Sequence, residues 1–276
     1  MSNDHSHDTD QPAVREHELE DHDRGLGFDL QTLRDRRRVL GMIGAGAAAT
    51  VGGAMVFGTA GRAAAAVAEI PAETAGPYPG DGSNGPDVLD DSGIVRSDIR
   101  RSFGSSTTKA QGQKFQFTLK LVDTDTLEPL EGLAVYAWHC NRAGEYSMYS
   151  ANVTGENYLR GVQVSNANGK VRFRSIFPAC YSGRWPHIHF EVYADLASAT
   201  SSGTPLATSQ LALPRTTCMH VYSTVAGYES SVTNLNQISL GTDNVFGDDG
   251  GVRQLAKLKG SIKRGYRAKL LVPVDV

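Results

Sequence analysis

The segment "KFQFTLKLV", residues 114 to 122, puts Phe115, Phe117, Leu119 and Leu121 at every second position, with polar residues between them. Side chains of an extended strand point alternately to its two faces, so this pattern buries one face and wets the other. "LAVYAWHC", "GKVRFRSIF", "HIHFEVYA", "SQLALP" and "YRAKLLVPV" behave likewise, each bounded by turn residues such as Asn168-Gly169. No segment sustains a 3.6-residue period, and the best helix candidate is the short "GYESSVTNL". Many short strands with few helices predict an all-β fold, a β-sandwich of mostly antiparallel strands with long loops. Residues 69 to 113, dominated by Gly, Pro, Ser, Asn and Asp, are expected to be loop.

The strands begin only after a long and different amino-terminal part. Residues 1–38 mix acidic, basic and histidine side chains with few apolar ones, a composition that buries too little surface to order itself. Arg36 and Arg37 then precede an uncharged Gly/Ala-rich run from Val39 to Gly61, and "AVA" at 66–68 satisfies the A-x-A rule for signal cleavage. This grammar, similar to a twin-arginine export signal, predicts a signal over 39–68 and one exported domain over 69–276. The expected location is extracellular or in the cell envelope, with no membrane attachment after cleavage; a retained anchor is the alternative. A formal net charge of -3 over 276 residues gives no basic footprint overall, which argues against nucleic acid as a partner. An oxidising destination favours a disulfide, yet Cys140, Cys180 and Cys218 allow three pairings and leave one thiol over.

"CYSGRWPHIHF", residues 180 to 190, loads a strand with more than a core needs. His187 and His189 share a face, with Cα atoms about 6 to 7 Å apart, while Ile188, Phe190 and Val192 fill the other. Two imidazoles so placed converge on one ion, although a hydrogen-bonded histidine pair has the same spacing. His139 and His220 are the other histidines beyond the leader. Tyr181 and Tyr146 both lie at strand exits. A phenol becomes a ligand only when a strong cation displaces its proton, so two phenolates with two imidazoles suit a hard ferric centre better than zinc. A ferrous site of two histidines and Glu191, on the same strand face, is a rival arrangement that leaves both tyrosines unexplained.

"WHCNRAGEY", "YLRGVQVSNANGKVRFRSIFPACY" and "RWPHIHF", in that order, resemble the intradiol ring-cleavage dioxygenases, a resemblance that runs from "AETAGPYPGDG" to "SQLALP". It implies Fe(III) held by Tyr146, Tyr181, His187 and His189, with Tyr146 eight residues after Trp138. Arg184 would act beside an anionic ring, Gln210 would line the pocket, and Pro77 and Tyr78 in "GPYPG" would lie near the substrate. The implied partners are a small catechol and O2, and the product a muconate-type diacid. Tyr181 would be the ligand that leaves as substrate chelates.

The chain also departs from the family pattern. Only Ser182 and Gly183 separate Tyr181 from Arg184, Ala179 replaces a common glycine, and Cys180 stands beside a ligand. The helical dimerisation segment of catechol dioxygenases is missing, which leaves the oligomeric state open. A secreted β-sandwich that binds aromatics or polymers without chemistry is the alternative from another functional class.

Overall fold

The alternating segments assemble into two four-stranded sheets in a computed structural model that describes residues 66–201 and 203–276. The expected leader, and the export signal up to residue 65, lie outside the described residues. In the first sheet, β4 (Lys170–Ile176), β1 (Lys114–Asp123), β8 (Gly265–Val274) and β7 (Lys257–Ser261) lie side by side in that order. In the second, the order is β3 (Arg160–Val164), β2 (Ala134–Trp138), β5 (His187–Tyr193) and β6 (Ala207–Ala212). All pairings are antiparallel except that of β1 with β8. The fold is thus the expected β-sandwich.

Every alternating segment singled out from the sequence falls wholly or partly on a strand. The structure adds β3 and β7, which sequence reading passed over. β7 is an edge strand, and its Lys257 and Lys259 are of the kind that keeps an open edge from pairing with another chain. "GYESSVTNL" contains most of helix α3 (Glu229–Gln237), while α1 (Leu196–Ala199) and α2 (Arg215–Thr224) were not anticipated. In α2 only Cys218, Val221 and Tyr222 are buried, one turn of an apolar stripe and too little to stand out as periodicity. No described helix is long and apolar enough to cross a membrane.

The core lies between the sheets. Phe117 and Phe173 face each other across the β1–β4 pair with ring centroids 5.0 Å apart, and Phe115 meets Phe177 edge-on at 5.3 Å. His139, just beyond β2, bonds Ser175 Oγ of β4 at 2.7 Å and so ties the second sheet to the first. Its other ring nitrogen meets the Cys140 carbonyl, and burial lowers its pKa to about 4, which makes it a neutral bridge inside the core. The three cysteines are buried and unbridged, so the structure contains none of the three possible disulfides. Burial pushes the Cys140 thiol up to about 12, as expected of an inert core thiol.

By strand alternation, the face of β5 that carries Ile188, Phe190 and Val192 is turned toward the first sheet, while His187, His189 and Glu191 face outward. That outward face is nevertheless buried. Residues 70–99, free of regular structure as expected, lie across it: Glu73 N donates to Thr208 O on β6, and Tyr136 Oη of β2 donates to Pro79 O at 2.6 Å. Arg160 of β3 adds a bond to the same carbonyl at 2.8 Å and another to Ser147 O at 2.9 Å. The loop segment is therefore the second wall of the functional side of the sandwich.

The β3–β4 turn gives a test of the register. Gly169 has φ +67°, and a Cβ there would stand 2.2 Å from Leu121 O on the neighbouring strand. Gly169→Ala is expected to destabilise the fold by about 2–4 kcal/mol, through left-handed strain and a backbone clash. Urea denaturation measures this, and a loss below about 0.5 kcal/mol would contradict the turn geometry.

Candidate metal centre

Strand β5 supplies two of the converging side chains. His187 and His189, two residues apart on one face, bring their Nε2 atoms to 3.1 Å. Tyr146 arrives from the loop after β2, where Tyr149 N and Ser150 N both donate to its carbonyl, and places its Oη 3.3 Å from His187 Nε2. Tyr181 arrives from the tight turn that enters β5, closed by Arg184 N bonding Tyr181 O, and places its Oη at the same 3.3 Å. The structure thus brings together all four side chains singled out from the sequence.

A single ring nitrogen offers one lone pair and cannot accept bonds from three neighbours at once. His187 Nδ1 lies against the Trp185 carbonyl; donation there leaves Nε2 as the bare acceptor facing the two phenols and His189. His189 Nδ1 is buried without a hydrogen-bond partner. A cation shared by all four atoms removes the crowding at His187 Nε2. Ligands about 2.0–2.1 Å from one ion and about 100–110° apart stand about 3.1–3.4 Å from each other, the spacing found here. The donor set therefore fits a metal ion.

Electrostatics favours the same reading. Burial, followed by Arg184, lowers His187 to about 3 and holds it neutral, the form that ligates. Burial, followed by His187, keeps His189 well below its ordinary value. Burial also raises the Tyr146 phenol well above 10, so a strong Lewis acid is needed to take its proton. No group of three or more His, Cys, Asp or Glu that could hold a metal occurs among the described residues. The phenols of Tyr146 and Tyr181 are the oxygen donors that lie against His187. Glu191 accepts a bond from Tyr193 Oη at 2.8 Å and another from Thr208, which ties its carboxylate up away from the histidines.

Around these four the remaining candidates are ordered. Trp138 stacks on the His189 ring at 4.9 Å and 7°, and Gly76, with φ +73°, lets the loop backbone press on the other atoms of that ring. A Cβ at Gly76 would sit 3.2 Å from His189 Cε1. Tyr78, one residue beyond Pro77, is buried with its ring 4.8 Å from that of Tyr146, and the Pro77 carbonyl accepts a bond from Asn84. Gln210 lies opposite His189 on β6. Its Oε1 accepts from Arg184 Nη2 at 2.7 Å, and its Nε2 donates to Thr74 O at 3.0 Å. Arg184 and Gln210 are therefore one buried unit, linked to the covering loop.

Sequence reading missed the counter-charge of that unit. Asp243, in the loop after α3, accepts from Arg184 Nε at 3.1 Å and from the Trp185 backbone N–H at 2.7 Å. Its other oxygen accepts from the backbone of Val245 and Phe246. Arg184 and these backbone donors hold its carboxyl below the usual range in spite of burial. Nothing in "TDNVFGDDG" separates Asp243 from its two acidic neighbours, since its partners lie 58 and 59 residues away. Arg184 thus makes the salt bridge that a purely structural role would require, and it also borders the histidines.

Part of the chain is similar to dioxygenases. Residues 84–204, somewhat under half of the chain, match the model of the Dioxygenase family. A chlorocatechol 1,2-dioxygenase of Rhodococcus opacus is 29% identical over a region covering 30% of this chain. The chain spans 40% of the length of that curated relative. An intradiol ring-cleavage dioxygenase from Tetranychus urticae superposes with a TM-score of 0.59 at 25% identity, over 75% of this chain and 95% of that one. A second dioxygenase crystal structure shares the fold, with a TM-score of 0.60 at 23% identity over 76% and 95% of the two chains.

Asp243→Asn leaves the Arg184 guanidinium buried without its counter-charge. It is expected to cost about 3–5 kcal/mol of stability in urea denaturation, whereas a loss under about 1 kcal/mol would show that Arg184 is solvated or paired elsewhere.

Proposed function

We propose that the chain is an Fe(III)-dependent intradiol dioxygenase that inserts both atoms of O2 between the hydroxylated carbons of a catechol to give a muconate-type diacid. The observation that supports this most is the convergence of Tyr146 Oη, Tyr181 Oη and His189 Nε2 on His187 Nε2 within 3.3 Å. A module that only bound aromatics or polymers would have no use for four ligand atoms around one point. The partial match to the dioxygenase model and the likeness to an intradiol enzyme of known structure support the reaction class. The reading includes export of the folded domain 69–276 by the twin-arginine-type signal, with release into the envelope or medium.

When bound, Fe(III) would supply the Lewis acidity that holds a catecholate through both oxygens and opens its ring to O2. Tyr146, His187 and His189 are all but fully buried and serve as the permanent ligands. Tyr181 is only half-buried and sits on the turn whose next two residues, Ser182 and Gly183, are exposed. Of the four residues that would hold the ion it is the one best placed to move, and its phenol oxygen would be positioned to accept a proton from an arriving catechol. The two-residue turn leaves that side open, which suits substituted catechols.

Arg184 keeps a fixed positive charge beside the histidines, and Gln210 and Asp243 prevent it from rotating. A guanidinium locked in this way stabilises negative charge that builds up on the ring without reorganising. Tyr78, tilted against Tyr146, and Pro77 close the aromatic side of the site and help to exclude water.

Tyr146→Phe and His187→Ala are expected to lose bound iron and catechol-dependent O2 uptake together, as followed by elemental analysis and an oxygen electrode. Full activity of either variant without iron would overturn the assignment. Arg184→Lys is expected to keep its iron and to lower kcat by about 10²-fold or more, with little change in KM, since a lysine cannot bridge Asp243 and Gln210 in the same plane. Unchanged kcat would make Arg184 a structural residue only.

A further inference from the structure

The outer face of the first sheet is the feature that the proposed chemistry leaves unused. Acidic and basic residues balance over residues 66–276, with 20 of each, yet the two signs are segregated. The strand register sets the outward side chains of β4, β1, β8 and β7 in rows across the sheet. One row reads Arg174, Gln116, Arg267, Lys259. The next reads Arg172, Thr118, Lys269, Lys257, and the third Lys170, Lys120, Leu271. No acidic residue stands in any row. Asp98, at the rim, is 4.0 Å from Arg174 and already bonded to Arg100 at 2.6 Å.

Like charges directly opposite one another weaken a sheet, and here Lys120 faces Lys170, Lys257 faces Lys269, and Lys259 faces Arg267. A surface that served solubility alone would intersperse the signs. This one accepts repulsion in every row, a local conflict of the kind that marks a functional surface.

Shape narrows the choice of partner. Two adjoining grooves of about 460 and 600 Å³ share Lys257 and Lys269, and the second continues past Arg264 and Arg267 to the far corner of the sheet. The first groove is lined by the basic rows and by the exposed apolar side chains Val252, Leu255 and Leu271. None of the residues lining these two grooves is aromatic, and Phe115 and Tyr266 at the far corner are buried, so nucleic-acid bases find no stacking platform. A narrow chain of rings, each with an apolar C–H face and a carboxylate edge, fits both the apolar floor and the Arg and Lys walls.

We propose that this face binds a linear polysaccharide of uronate sugars and holds the domain on an anionic matrix while the opposite face remains free. The candidate metal centre lies on the outer face of the second sheet, so the whole sandwich separates the two. Bound polymer therefore leaves the Tyr181 entrance open. The inference does not depend on the chemistry of the metal centre.

Affinity electrophoresis of the folded domain in gels containing polygalacturonate tests this directly. The domain is expected to be retarded by polygalacturonate and not by neutral dextran, with the retardation lost near about 0.5 M NaCl, where exposed charges are screened. Replacing Arg172, Arg267, Lys257 and Lys269 together by Gln is expected to weaken binding by about tenfold or more, with circular dichroism and turnover of free catechol unchanged. Leu271→Ser is expected to weaken polygalacturonate binding while sparing any weaker binding to polyphosphate. Absence of retardation, or equal retardation of the fourfold variant, would overturn the proposal. Tighter binding to polyphosphate, duplex DNA or phosphatidylglycerol vesicles than to polygalacturonate would overturn the polyuronate assignment and name a different occupant.

Discussion

Seven residues of β5 must satisfy two opposite demands, and the architecture follows from how they do so. Alternation sends Ile188, Phe190 and Val192 into the sandwich core and His187 and His189 outward. An outward face would ordinarily be wet. Here it is sealed by residues 70–99, which lie across it. Burial lowers both histidines, and every other polar group drawn into the same space must then find a partner. Residues 70–99 provide much of that partnership: Pro79 O receives Tyr136 and Arg160, and Thr74 O receives Gln210.

Arg184 shows how far that demand reaches. A guanidinium at 3% exposure requires a counter-ion, which comes from Asp243 in the loop after α3, and a second acceptor, which comes from Gln210 on β6. The carboxylate is in turn bound by three backbone N–H groups, those of Trp185, Val245 and Phe246. One charge beside the histidines thus fixes the positions of the β5 entry, the β6 strand and a loop 59 residues away. The part of the chain after β6, residues 213–276, belongs to the site through this pair, although it contributes none of the four converging donors.

Much of this was legible in the sequence, and the reasons differ by element. β1, β2, β4, β5, β6 and β8 showed themselves through period-2 or continuous apolar runs. β7 is too polar for such a signal, β3 opens on an arginine and a glycine, and α2 buries only three residues, so their states are decided by tertiary neighbours. The four converging side chains were legible because His-x-His fixes a common face and both tyrosines sit at strand exits. Asp243 and Arg160 were not, because a buried salt bridge and a buried guanidinium are defined by distant partners. The expectation of no basic footprint was drawn from net charge, which averages over the chain; the segregation of cations onto one sheet face appears only once the register of β4, β1, β8 and β7 is known.

The central claim is that two phenolates and two imidazoles share one ferric ion that a catechol reaches by displacing Tyr181. The most direct measurement is the visible absorption spectrum of the iron-loaded domain, repeated after anaerobic addition of excess catechol. Tyrosinate-to-iron charge transfer predicts a reddish protein whose band shifts as the catecholate replaces one phenolate. A domain shown by elemental analysis to carry iron, yet colourless or unchanged by catechol, would contradict the account.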